Sequence, residues 1–137
     1  MNRINWFKVT GAAVLLHIIL IALSIAEVFI YSTMINTGHD QSFYEAHAVK
    51  SAPYVATVAG IILMYVFVTV LARKSQANPF TIGFALPLIY IAIDFIIMIT
   101  TAPGWTKQLA IILVSNFLKL LAGIIAAYRV KQSQDAA

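Results

Sequence analysis

Residues 9–35, VTGAAVLLHIILIALSIAEVFIYSTMI, form an apolar run long enough to cross a bilayer as a helix, yet they enclose a histidine and a carboxylate. Read at helical spacing, Thr10, His17, Ser24 and Tyr31 recur every seven residues and share one narrow stripe, with Glu27 at its edge. The other faces carry Val, Leu, Ile, Ala and Phe. Such a helix needs neighbours to cover its polar seam, and the rest of the chain supplies candidates.

Composition agrees. Of 137 residues, 61% are hydrophobic and 10% charged, whereas a soluble domain carries roughly 25% charged residues. Four apolar segments near the ~20 residues of a spanning helix cover about 9–33, 54–72, 80–101 and 106–128. They do not alternate as barrel strands would, so the expected fold is all-α. It is an integral-membrane four-helix bundle over residues 1–131, followed by a frayed polar tail at 132–137. Met1 to Lys8 reads as the basic start of a signal peptide, but the apolar run continues past the candidate cleavage site at Ser24-Ile25-Ala26, so the span is expected to remain.

Boundary chemistry refines this expectation. Ser42 with Glu45 forms a capping box that predicts a short amphipathic helix over 43–50 in the first loop. Ser51-Ala52-Pro53 reads as the start of the second span, Asn78-Pro79 as cap and first residue of the third, and Thr101-Ala102-Pro103-Gly104 as a tight turn joining spans three and four. Arg3 and Lys8, Arg73 and Lys74, and Arg129 and Lys131 all fall on one side of a four-span chain, while Lys50 and Lys107 fall on the other. The positive-inside rule then places both termini in the cytoplasm, which suits a multi-pass protein of the plasma membrane (a bacterial inner membrane). Trp6, Phe7, Phe80 and Tyr128 are candidates for the inner aromatic belt, with Tyr31, Phe43, Tyr44, Tyr54 and Trp105 for the outer one. The net charge of +4 sits in these flanking clusters, which argues against nucleic acid as a partner.

The candidate functional residues are the polar groups within the spans. Gly83, Pro87, Tyr90, Asp94 and Thr101 share an arc of span three; Asn116, Lys119, Gly123 and Ala127 share one on span four; Tyr65 and Thr69 lie beside Val58 on span two. An ionisable group near the bilayer centre costs about 2.5–3.5 kcal/mol on insertion scales, and such groups mark ion or proton paths by default. Counted from the cytoplasmic ends, Glu27 and Asp94 fall in the outer half and His17 and Lys119 in the inner half. Tyr65, Tyr90, Asn116 and Ser24 are then available between an acidic and a basic layer. Asp94 and Lys119 differ by about one turn and are expected to pair, leaving Glu27 and His17 to titrate.

In the outer loop, His39, Asp40, Glu45 and His47 are possible metal ligands, but their spacing matches no motif and Glu45 already has a capping role. The bland alternative is a solvated loop with a short helix lying on the outer membrane surface; a lid over an outward-facing cavity near Glu27 is a separate functional reading. Three functional classes follow. The first is an ion- or proton-coupled transporter or channel subunit, expected to oligomerise through Ala56-xxx-Gly60 or the small residues of span four. The second is a non-catalytic accessory or assembly subunit docked on a membrane-protein partner. The third is a metal-dependent enzyme using the outer loop. No catalytic motif is legible, Cys is absent, and a bis-histidine haem is disfavoured because only His17 lies in a span, so the cofactor is left unknown. In size the chain resembles small four-helix drug exporters, but their dual topologies rest on weak charge bias and the bias here is strong.

Overall fold

The computed structural model describes residues 4–101 and 107–136. They form four helices: α1 (Trp6–Ile30), which continues into a π-helical turn (Tyr31–Ile35), α2 (Gln41–Lys74), α3 (Pro79–Thr101) and α4 (Lys107–Asp135). All four are long and apolar enough to cross a membrane. α4 packs most extensively on α2 and α3, and α1 packs on α2 and α3, so the order around the bundle is α1, α2, α4, α3. The turn expected at Thr101–Gly104, and Trp105, lie outside the described residues apart from the backbone of Thr101.

Local chemistry sets the helix starts. The Asn5 side chain accepts from Lys8 N at 3.2 Å and caps α1. Asn78 caps α3 as expected, its Oδ1 accepting from Phe80 N at 3.0 Å, with Pro79 as first residue. The first loop differs from expectation. There is no separate helix over 43–50, because α2 runs unbroken from Gln41 and contains Pro53 within it. The cap is Asp40, whose Oδ1 accepts from Phe43 N at 3.1 Å, not Ser42, whose hydroxyl donates to Asp40. Glu45 instead accepts from Gln41 Nε2 at 2.7 Å. Pro53 removes one backbone donor, which a 34-residue helix with many other bonds tolerates. The tail also departs from expectation: α4 stays helical to Asp135, which pairs with Lys131 at 3.5 Å.

The bundle is tight at one end and open at the other. Its buried apolar side chains are Val9, Ala13, Leu16 and Leu20 on α1, Met64, Val68 and Ala72 on α2, Ile82, Leu86 and Tyr90 on α3, and Ala122, Ala126, Ala127 and Val130 on α4, with Ala77 in the α2–α3 connection. All lie in the half that holds the chain termini and the α2–α3 connection. Here α3 and α4 touch backbone to backbone. A Cβ on Gly83 would sit 2.9 Å from Gly123 O, and one on Gly123 would sit 2.7 Å from Gly83 O. Small residues permit that approach, and dispersion contacts between the close backbones hold it. Gly60 has a parallel role: its missing side chain makes room for the stem of Lys119. Gly60 and Gly123 are therefore buried inside the bundle of this one chain.

Candidate functional site

One antiparallel ladder sets the polar interior of α3 and α4. Gly83 meets Ala127, Pro87 meets Gly123, Tyr90 meets Lys119, and Asp94 meets Asn116. Each step is about one helical turn, so the two sequence stripes face each other along their length. Lys119, only 2% exposed, donates from Nζ to the Tyr90 hydroxyl at 3.1 Å and lies 4.6 Å from the centre of that ring. Asn116 Nδ2 donates to Asp94 Oδ2 at 2.8 Å.

The expected Asp94–Lys119 ion pair does not form among the described residues. Asn116 lies one turn nearer the carboxylate on the same face and takes the position, while Lys119 falls level with Tyr90. The separation into acidic and basic layers fails as well. His17 stacks on Tyr90, with ring centres 4.0 Å apart, and its Nε2 lies 4.0 Å from Asp94 Oδ1. Depth counted along each chain assumed parallel rods starting level. A residual offset of one turn is enough to bring a histidine and a carboxylate to the same height.

His17 carries an unmet demand. Its Nδ1 lies 2.9 Å from Ala13 O, which can only accept, so Nδ1 bears the proton. Nε2 of the neutral ring is then an acceptor facing another acceptor at 4.0 Å, beyond hydrogen-bond range. That nitrogen is buried without a partner among the described residues, as are Ser115 Oγ and Asn116 Oδ1. Buried unsatisfied groups are rare in native structures and call for an explanation.

His17, Tyr90 and Asp94 form the polar floor of an open cavity of about 840 Å³. Its walls come from α1, α2 and α3, with Ile112 from α4; Ile25, Val28, Phe29, Val49 and Ile97 make them largely apolar. Ser24 and Ser32 also line it, but their hydroxyls donate to the carbonyls of Leu20 and Phe29 within α1. The cavity occupies the half of the bundle that lacks tight packing.

Glu27 belongs to a second cluster near the α1–α2 connection. His47 Nε2 donates to Glu27 Oε1 at 2.8 Å, and Ser51 Oγ donates to Oε2 at 2.8 Å. Tyr31 stacks on His47 with ring centres 3.6 Å apart and planes within 2°. Glu27 and Tyr31 are four apart on one helix, as are His47 and Ser51 on the other, so two adjacent turns meet two adjacent turns. The connection itself is stitched by side chains. Asn36 donates to the Tyr31 hydroxyl, the Tyr44 hydroxyl donates to Asn36 O at 2.8 Å, and Gly38 takes a φ of 87° to close the turn.

The remaining candidates scatter. Thr10 is exposed, because the buried stripe of α1 runs through Val9, Ala13, Leu16 and Leu20. Tyr65 is 37% exposed on the outer surface of α2, where Gly60, Met64 and Val68 face inward, so it takes no part in the polar interior. The four loop residues are committed separately: His39 to Asn36 and Phe43, Asp40 to the α2 cap, Glu45 to Gln41, and His47 to Glu27. Among the described residues no three His, Asp or Glu side chains converge as a metal site. Ser51 and Gly60 are site residues that the sequence reading assigned to other roles. The matched i, i+4 pairs at 27/31 and 47/51 were the available signal for Ser51.

No protein-family model, curated protein or solved structure matches the chain.

Proposed function

We propose that this chain is a small ion- or proton-coupled membrane carrier that binds its cargo over the His17–Asp94 pair. The observation that supports it is the open cavity of about 840 Å³ lined by His17, Tyr90 and Asp94. Beneath His17 and Tyr90, Leu16, Met64, Val68 and Leu86 are 0% exposed, so the cavity stops at the packed half of the bundle. A channel needs a continuous wet path; a carrier needs a closed floor that can rearrange. With the positive-inside orientation, the cavity lies in the half of the bundle away from the cytoplasm. His17 Nε2 has a free lone pair for a proton, and Asp94 lies close enough to hold the resulting imidazolium.

Proteoliposomes with an entrapped pH dye test this reading. An imposed ion or pH gradient should drive proton movement that falls at least about tenfold in Asp94→Asn and in His17→Gln, and is unchanged in Val58→Ala on the exposed surface. Flux that persists in both interior variants, or no flux above empty liposomes, rejects the carrier.

A second reading, an accessory subunit docked on another membrane protein, draws support from an apolar groove of about 460 Å³ between α2 and α4. Ile61, Ile62, Val66, Leu118, Leu121 and Ile125 line it. A stoichiometric partner co-purifying from native membranes, and lost on Ile62→Trp, would favour it.

A further inference from the structure

We infer that the cavity's ligand is an amphiphilic organic cation with at least two N–H bonds, a primary or secondary ammonium on an apolar body. This deepens the carrier reading and rests on it for the site. The floor selects the head group. His17 Nε2 and Asp94 Oδ1 are both acceptors, and they face each other across 4.0 Å. A nitrogen donating at about 2.8–2.9 Å to each would subtend an angle of roughly 90° between them, within the range of bent but real hydrogen bonds. A donor entering here replaces an acceptor–acceptor contact with two hydrogen bonds and satisfies a nitrogen that is otherwise buried without a partner.

Charge points the same way. The carboxylate lines the cavity, whereas the Lys119 ammonium is 2% exposed and held behind Tyr90, so the ligand meets the negative member of the cluster first. Asn116 steadies the other carboxylate oxygen, leaving Oδ1 toward His17. An anionic head group would confront Asp94, and among the described residues no cationic side chain lines the cavity. A quaternary ammonium has no N–H and cannot bridge the pair; an alcohol has one O–H and no charge.

The walls select the body. From His17 to Ser32 the cavity follows α1 for about 22 Å at the rise of a helix, and its volume falls within the ~300–1,000 Å³ of small-molecule sites. Ile21, Ile25, Phe29 and Val49 along it offer dispersion contacts and no polar side-chain atoms.

The test is calorimetric titration of the full chain in nanodiscs of a zwitterionic lipid, with empty nanodiscs subtracted. The probes are 4-phenylbutylammonium, 4-phenylbutanol and 4-phenylbutyltrimethylammonium. The primary ammonium should bind at least about tenfold more tightly than either analogue, the loss expected for charge-assisted bonds. That preference should shrink to within about threefold in Asp94→Asn and persist in Val58→Ala. Because the ligand series is read on the native chain, a misfolded variant does not obscure the result. Equal affinity for all three probes, absence of binding, or a trimethylammonium preference overturns the ligand class. Asp94-dependent proton flux without an ammonium preference would reject the ligand and keep the carrier; an ammonium preference without flux would do the reverse.

Discussion

His47 on α2 donates to Glu27 on α1 at 2.8 Å, and its ring lies flat against Tyr31 at 3.6 Å. One histidine thus joins two consecutive turns of the neighbouring helix, at the end of the bundle where apolar packing is thin. Ala48 and Ala52, the residues following His47 and Ser51, line the cavity, so this clasp also fixes one of its walls.

His47→Ala removes a hydrogen bond and an aromatic stack. A loss of about 1–2 kcal/mol is expected, discounted for partial exposure. Thermal melts in detergent should show it, with His39→Ala, whose partners Asn36 and Phe43 lie within four residues of it and do not join α1 to the middle of α2, milder. A double-mutant cycle with Glu27→Gln should yield a coupling of about 0.5–1.5 kcal/mol; additive losses would mean that the contact carries no energy.

Lys119 should depend on Tyr90 for its hydrogen bond. Tyr90→Phe leaves a buried ammonium without that partner and is expected to cost about 1–3 kcal/mol. Lys119→Met removes the charge and the demand together, so Tyr90→Phe in that background should cost clearly less. Equal penalties in both backgrounds would show that the hydroxyl does not serve the lysine.

Two glycines should respond oppositely to a methyl group. At Gly83 a Cβ would meet Ala127 Cβ at 2.6 Å and Gly123 O at 2.9 Å, so Gly83→Ala must part α3 from α4, at about 1–3 kcal/mol. At Gly11 nothing lies within 4 Å, and Gly11→Ala should be neutral or stabilising by up to about 1 kcal/mol. Melting temperatures of the purified variants decide the matter. A Gly83→Ala protein as stable as the parent contradicts the backbone contact.

The native chain has no cysteine, so single substitutions report topology cleanly. With both termini inside, Thr37→Cys should react with an impermeant maleimide in intact cells. Gln76→Cys and Gln134→Cys should react only after the membrane is opened. The reverse pattern would invert the orientation of the cavity.

Hydropathy alone was sufficient for the four helices, since each apolar run is long, uninterrupted and bounded by polar or cap-forming residues such as Asn78-Pro79. The facing stripes of α3 and α4 were legible for the same reason: helical periodicity puts Tyr90 with Asp94, and Asn116 with Lys119, on single faces whatever the partner. Which residue of one stripe meets which of the other was not legible. Partner choice turns on an offset of one helical turn, and no local signal encodes it; close packing at Gly83 and Gly123 sets that register, giving Asp94 to Asn116 and Lys119 to Tyr90. The inward or outward sense of weak stripes was hidden for a related reason, so Thr10 and Tyr65 face away from the interior. Periodicity defines a face, but only the packed neighbours decide whether that face looks at protein or at lipid.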